Sequence, residues 1–125
     1  MGHGYFCVVA YGIIISIEKF VKQFPESFEI RKEDYQRKPC YQPNYVKLKD
    51  IEKEFNISFH YEQQDSSTNI FICSKSFIIE DARCGGCQDI DIAELSNGKD
   101  LLEKFIDSKF PGKRISLKMY SYEGS

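Results

Sequence analysis

The sequence lacks tryptophan and contains only two histidines among its 125 residues. Two imidazole rings leave little material for histidine-based acid–base catalysis or metal binding. The short motifs of phosphate-binding loops, dinucleotide-binding folds, zinc proteases, serine hydrolases and calcium-binding loops are also missing. No widespread catalytic or cofactor-binding signature is complete, so we expect no cofactor and favour a protein that is not an enzyme.

Neither sign of charge dominates the chain, which carries 17 Lys and Arg against 19 Asp and Glu, with a net charge of -2 and a pI near 5.7. This balance argues against a domain-wide positive field that would hold a nucleic-acid backbone regardless of sequence. The proportions of 42% hydrophobic and 29% charged residues are those of an ordinary globular chain. We predict a single domain over residues 1–125, since that length supports one hydrophobic core.

The apolar run from Tyr5 to Ile17 is too short for a membrane span, which needs about 20 apolar residues. No Lys or Arg precedes the run, and Glu18 and Lys19 follow it directly, so its layout is not that of a secretory signal. Phe6 stands where the myristoylation motif has Ser or Thr. We therefore expect an intracellular, cytoplasmic protein that does not associate with membranes.

Five cysteines form an odd set, and without a secretory signal they are expected to stay reduced. Cys84 and Cys87 flank two glycines that suit a hairpin turn. They could remain free, act as a redox pair, or supply half of a zinc site completed by Cys73, His60 or Cys40. The free pair is favoured, because there is no second C-x-x-C motif and no helix start follows the cysteines to stabilise a thiolate.

The first 24 residues predict a strand that runs directly into a helix. Tyr5 to Ser16 is rich in Val and Ile and continuously apolar, which is typical of a central strand buried on both faces. Gly12 within it indicates a bulge or the close approach of another backbone. The apolar spacing from Ile17 to Phe24 predicts a short helix, which Pro25 ends.

The middle of the chain has little periodicity. Residues 25–45 contain three prolines, and we predict a long irregular loop there with one strand at 27–31. An apolar spacing of i, i+3 and i+7 then predicts a helix over 46–55.

Beyond residue 56 the apolar period changes to two. This predicts strands at 57–61 and 70–80, paired as a hairpin, with His60 on the outward, solvated side. A third strand is expected over 88–95, where Asp89 and Asp91 would share one face.

The last third predicts a helix and a final strand. Ser96 or Asn97 is expected to cap the helix, and a Pro-Gly pair ends it. In the final strand, over 114–122, we expect Leu117 and Met119 to point inward, together with Ile115, and Tyr120 to point outward.

This order of elements predicts an α+β fold. We expect an antiparallel-rich sheet of about five strands with two or three helices packed mainly on one face, similar to the split β-α-β unit. That topology supports many unrelated activities, so it indicates no function.

The loop and helix start at 31–49 combine basic residues with tyrosines. We predict that Arg37, Lys38, Tyr41 and Tyr45 bind a protein partner, since tyrosines supply rigid contact area and cations attract an acidic surface. The same mixture could stack bases and contact phosphates, so an accessory role in nucleic-acid binding is a less favoured alternative.

The stretch at 80–94 is acidic, so its charge is opposite to that of the basic loop. It could meet the basic loop of a second copy, which would make the protein a homo-oligomer. Asp89 and Asp91 could instead serve acid–base chemistry or bind a hard cation, with a thiol nearby, in a small enzyme of unrecognised type. A solvated acidic face that protects a sheet edge is favoured over that alternative.

The opening segment Val8-Val9-Ala10-Tyr11-Gly12-Ile13-Ile14-Ile15, with a general bias to Lys, Ile and Phe, resembles small proteins of large DNA viruses that infect amoebae, such as the marseilleviruses. The resemblance covers about the first twenty residues and the composition, and it transfers no functional residue. It implies a lineage-specific viral protein that is packaged in virions or directed at a host partner.

Overall fold

The computed structural model describes residues 4–31, 40–62, 68–81 and 90–124. It combines a five-stranded antiparallel sheet, a two-stranded sheet and four helices in an α+β fold, which confirms the predicted class. In chain order the elements are β1 (Gly4–Ser16), α1 (Ile17–Gln23), β2 (Phe28–Arg31), β3 (Cys40–Pro43), α2 (Tyr45–Phe55), β4 (Ile57–Tyr61), β5 (Asn69–Ser74), β6 (Ile78–Asp81), α3 (Ile92–Leu95), α4 (Lys99–Lys109) and β7 (Ser116–Gly124).

Strand β1 is the centre of a five-stranded antiparallel sheet, as its continuous apolar sequence predicts. Strand β7 pairs with one edge of β1. The other edge of β1 pairs with β6 over Phe6–Val9 and then with β5 over Gly12–Ser16. Strand β4 pairs with β5 and forms the far side of the sheet. The predicted β4–β5 hairpin is confirmed, and β2 and β3 form a separate two-stranded sheet.

Helices α1, α2 and α4 cover one face of the large sheet, which we call the helical face. Ser16 caps α1 by accepting a hydrogen bond from the Lys19 N–H at 3.2 Å, and Asn44 caps α2 through the Lys47 N–H at the same distance. The apolar stripes of the helices pack on alternate residues of the strands. This core contains Ile13, Ile15, Ile17, Phe20, Phe28, Leu48, Ile51, Ile57, Phe59, Ile70, Ile72, Leu102, Phe105 and Ile106.

The opposite face of the sheet is concave. Tyr120 pairs with Val8, whereas Asn69 pairs with Ser16, eight residues further along β1. Eight extended residues span roughly 26 Å, yet the Tyr120 hydroxyl donates to the Asn69 carbonyl oxygen at 3.3 Å. The sheet must therefore curl towards this face, and the curvature encloses a second apolar cluster.

The prediction of a strand over 88–95 is wrong at residues 90–95, the part of it that the structure describes. Asp91 instead caps the short helix α3, and its carboxylate accepts from the N–H groups of Ala93 at 3.0 Å and Glu94 at 3.4 Å. A short acidic side chain that bonds to the next backbone amides competes with strand pairing. Asp89 lies outside the described residues.

Three other local boundaries differ from expectation. Gly98, at φ 82°, stands at the N-cap of α4, and Ser96 donates its hydroxyl to the Ala93 carbonyl instead of capping that helix. The segment predicted as an irregular loop contains β3, which is held by pairing with β2. The strand predicted at 70–80 is interrupted at 75–77, so β5 and β6 contact β1 separately.

The final strand agrees with the prediction at Ile115, which packs against the core of the helical face, but Leu117, Met119 and Tyr120 are reversed. Tyr120 is half-buried in the concave face, while Leu117 and Met119 are 41% and 69% exposed. On the helical face, Leu117 and Met119 remain exposed, whereas the concave face provides the larger apolar environment and takes the aromatic rings.

The two longest described helices, α2 and α4, have eleven residues each. Within the described part of the chain, no helix is long and apolar enough to cross a membrane.

Candidate functional site

An aromatic cluster fills the concave face, and we call it the concave cluster. It consists of His60, Phe71, Phe77, Tyr120 and Tyr122. The His60 ring lies 4.6 Å from the Phe77 ring and 5.9 Å from the Tyr122 ring, centroid to centroid. The rings of Phe71 and Tyr120 are 5.5 Å apart. The strands of the curled sheet thus direct aromatic side chains towards a common centre.

His60 is buried rather than solvated, which corrects the prediction from its strand phase. Only 9% of the residue is exposed, and its Nε2 atom has no hydrogen-bond partner among the described residues. Burial lowers the pKa of the imidazole from its ordinary 6.5 to about 4. The ring is therefore neutral at physiological pH and packs as an aromatic group.

The other titratable groups around this cluster are also held in their neutral forms. Burial raises the pKa of the Cys73 thiol well above its usual range and raises the pKa of Tyr120 to about 12. The pKa of Tyr122 is raised as well, again by burial. A thiol with a raised pKa is not an activated nucleophile, and an imidazole with a pKa near 4 is a weak general base.

Cys73 is the described member of the zinc or redox site predicted with Cys84 and Cys87. It is fully buried on the concave face, where apolar surroundings disfavour the thiolate that binds a metal. Cys84 and Cys87 lie outside the described residues. Among the described residues, no three Cys, His, Asp or Glu side chains gather in a metal-binding group.

The free state of Cys84 and Cys87 stays a prediction. We expect that changing both to Ser leaves the fold and the thermal midpoint of unfolding unchanged within a few degrees. Far-ultraviolet circular dichroism, with metal analysis of the wild-type protein, checks this. Stoichiometric zinc together with a collapse of stability in the double variant would contradict it, because a structural zinc ion contributes folding free energy directly.

The buried imidazole predicts a pH dependence of stability. Because the pKa of His60 is lower in the folded chain than in the unfolded chain, the unfolded state takes up the proton first as the pH falls. The contribution of neutral His60 is complete above pH 6.5 and is lost as the pH falls towards about 4. We expect about 3 kcal/mol of the free energy of unfolding to be lost over that range.

Urea unfolding of wild type and of His60→Phe at a series of pH values measures this loss. Glu52 has a raised pKa through burial and contributes a slope of opposite sign, so the difference between the two proteins isolates the imidazole. A difference that stays constant between pH 7 and pH 4 would show that His60 is solvated in the folded chain.

A second candidate site lies where the small sheet meets α2, and we call it the hairpin–helix surface. It consists of Ile30, Tyr41, Tyr45 and Val46, of which Val46 is 73% and Ile30 53% exposed. Ile30 pairs with Tyr41 across the two strands. Tyr45 begins α2 and is 48% exposed, with its ring 6.4 Å from that of Tyr61.

Basic side chains flank the hairpin–helix surface. Lys49 is exposed on α2 and Lys47 is partly exposed, 4.0 Å from the Glu26 carboxylate. An ion pair so exposed to solvent contributes little and can exchange partners readily. Of the four residues predicted to bind a partner, Tyr45 is half-exposed at the start of α2, while Tyr41 in β3 is partly buried against the core of the helical face. Arg37 and Lys38 lie outside the described residues.

The acidic stretch at 80–94 does not form a described catalytic pair. Asp91 is engaged as a helix cap, and Glu94 is exposed one turn further on. Both border a cleft of about 220 Å³, which is also lined by Lys75, Ser76, Phe77, Ile78 and Leu95. Because the Asp91 carboxylate accepts backbone N–H groups, the two acids are not arranged to share a proton or a cation.

Sequence reasoning missed Val46 and Ile30 as surface residues. Val46 is apolar but lies off the Leu48, Ile51 and Phe55 stripe, so an out-of-phase apolar residue was the available signal. Ile30 gave no such signal, since alternation in β2 places it on the same side as buried Phe28.

Comparison of the chain with protein-family models, curated proteins and solved structures finds no significant match.

Proposed function

We propose that the protein is a non-enzymatic protein-interaction module that binds an acidic partner through the hairpin–helix surface. The observation that carries the proposal is the exposure of Tyr45 and Val46 at the start of α2, which directly follows the hairpin that pairs Ile30 with Tyr41. Single exposed apolar residues are common, but contiguous apolar side chains with tyrosines mark binding surfaces.

The charge of this surface supports an acidic partner. Lys47 and Lys49 lie within one turn of Tyr45 and Val46, and Arg37 and Lys38 belong to the preceding segment of the sequence. Complementary charge steers and orients such contacts, while the tyrosine and valine supply buried apolar area. The proposed partner is therefore a protein surface with carboxylates around an apolar patch, and the viral resemblance favours a virion or host protein.

The neutral state of the concave cluster supports a binding role over catalysis. Within the concave cluster, the side chains capable of chemistry are His60 and the tyrosines, with Cys73 beside them, and their pKa shifts all favour the uncharged form. The overall negative charge supports a protein partner over a nucleic acid.

Site-specific photo-crosslinking in the native source tests the proposal. A photoreactive phenylalanine analogue in place of Val46 should capture one acidic protein, and high salt should reduce the yield. The matched control is the same analogue in place of Leu101, which is 41% exposed on α4. Equal adducts at both positions, or none at either, would oppose the proposal.

Binding of the captured partner should then depend on the same side chains. We expect the double variant Tyr45→Ala with Val46→Ser to weaken binding at least about 10-fold, since central apolar contacts usually dominate an interface. Calorimetric titration measures this, with Leu101→Ser as the control. In the alternative, the partner is the acidic 80–94 segment of another copy. Light scattering would then detect self-association of the protein.

A further inference from the structure

We infer that β7 is a dimerisation strand, which pairs edge to edge with the β7 of a second copy of this chain. The inference concerns the sheet edge remote from the hairpin–helix surface and does not depend on the function proposed for that surface. Strand β7 has nine residues and, within the described ranges, pairs only with β1, so its other edge presents unpaired backbone N–H and C=O groups. Such an edge is a template for another strand.

The β4 and β7 edges of the sheet are treated differently. At the β4 edge, the Glu52 carboxylate accepts a hydrogen bond from the Phe59 N–H at 3.0 Å, so this backbone donor is not free to pair with another strand. Among the described residues, no hydrogen bond other than those to β1 involves the backbone of β7. Strand β7 also lacks proline, and its charged residues are Lys118 near its start and Glu123 near its end. The usual protections of an edge strand are therefore largely absent from β7.

The side chains on one side of β7 indicate what would cover it. Met119 and Leu117 are exposed on the helical face, where Val9 separates Met119 from Ile78 and Tyr11 lies beside Leu117. These five side chains form a largely apolar patch across three strands. Helices meet it at Tyr11, where Lys99 of α4 lies 4.6 Å from the ring centroid, and at Ile78, which borders the same cleft as Leu95 of α3, while Met119 and Leu117 stay exposed. A partner must therefore supply both a free strand edge and apolar side chains on one side of it.

A second copy of β7 meets both requirements. In an antiparallel pair centred on Tyr120, like faces align, and the two Met119 side chains become diagonal neighbours across the two-fold axis, about 7 to 8 Å apart, where the apolar patches of the two copies meet. Leu117 would lie opposite Glu123 of the other copy. Met119 would then lie opposite Ser121 of the other copy, and Lys118 opposite Tyr122. The two Lys118 side chains stay apart, and each can approach an aromatic ring, so no like charges oppose.

Sedimentation equilibrium over a range of concentrations tests this dimer. We expect a wild-type dimer, and Met119→Lys should raise its dissociation constant at least about 100-fold, because the two-fold axis introduces the charge twice. Met119 is 69% exposed, so the variant should keep the wild-type circular dichroism spectrum. If it does not, Leu117→Lys serves the same purpose.

The control is Val46→Lys, which adds the same charge on the hairpin–helix surface and should leave the dimer intact. Hydrogen exchange of the full chain should also show β7 amides that become protected as the protein concentration rises. A wild-type monomer at 100-fold dilution and at the highest soluble concentration alike would overturn the inference. A dimer that Val46→Lys dissociates and Met119→Lys does not would overturn it equally.

Discussion

Gly12→Ala is expected to cost more than about 3 kcal/mol of the free energy of unfolding, or to prevent folding. A Cβ atom at this position would overlap the Ile72 carbonyl oxygen and would lie 2.8 Å from Cε1 of Phe71 and 2.9 Å from Cα of Cys73. Two of these three neighbours are backbone atoms of β5, so the strands would have to separate where the sheet curls. Overpacking against backbone cannot be relieved by rotating a side chain.

Gly112→Ala is the matched control for this substitution. Gly112 has a positive φ of 91°, but no described atom lies within 4 Å of the point where an added Cβ would stand, so only backbone strain opposes the change. We expect that variant to lose about 1 kcal/mol. Urea unfolding of both variants measures the difference, and equal losses would show that β1 and β5 do not approach as closely as described.

Phe20→Ala is expected to lose about 3 to 5 kcal/mol, close to the full stability of a small domain. Phe20 is completely buried at the junction of α1 with the sheet, and its ring lies 5.1 Å from Phe24 and 5.2 Å from Phe59. The rings of Phe28 and Phe110 lie within about 6 Å of it as well. Its removal would leave a cavity bordered by four aromatic rings that cannot all close in.

The corresponding truncation of an exposed aromatic residue is Tyr45→Ala, for which we expect a loss below about 1 kcal/mol. Thermal and urea unfolding of the two variants provide the comparison. If Phe20→Ala loses no more than Tyr45→Ala, the core of the helical face is not organised around Phe20. Tyr45→Ala is also one of the two substitutions in the double variant whose partner binding should fall.

Elements with a strong local pattern are predictable from the sequence. The apolar run of β1, the stripe of α1 and the stripe of α2 each identify an element whose bounds agree within a few residues with the structure. Gly12 is likewise predicted as a point of close backbone approach, and Ile72 is the residue that approaches it. In each case the residues that form the pattern also form the contacts.

The wrong predictions concern segments in which apolar and polar residues alternate, because either set of alternate side chains can be the buried one. Alternation with aliphatic residues predicts outward positions for His60 and Tyr120, but the curled sheet buries both faces. Similarly, Ile90 and Ile92 suggest a strand, whereas Asp91 caps a helix. Alternation specifies which residues share a face and leaves open which face is covered.

The candidate sites likewise combine features that the sequence predicts with features that only packing decides. Tyr41 and Tyr45 are visible in the sequence as tyrosines among cations, while the exposure of Val46 and Met119 depends on how far the helices extend over the sheet. The neutral state of His60 follows from the concave cluster, which assembles side chains from β4, β5 and β7 with the segment before β6. No local pattern could indicate that burial.

The class of fold, the central position of β1, the helices α1 and α2 and the β4–β5 hairpin all follow from the order of residues along the chain. These features depend on local periodicity, which a linear sequence contains in full. The curl of the sheet, the burial of His60, the exposure of Met119 and the free edge of β7 were decided by tertiary structure. They depend on which elements come to lie beside one another, and such contacts between distant residues leave no periodic trace in the chain.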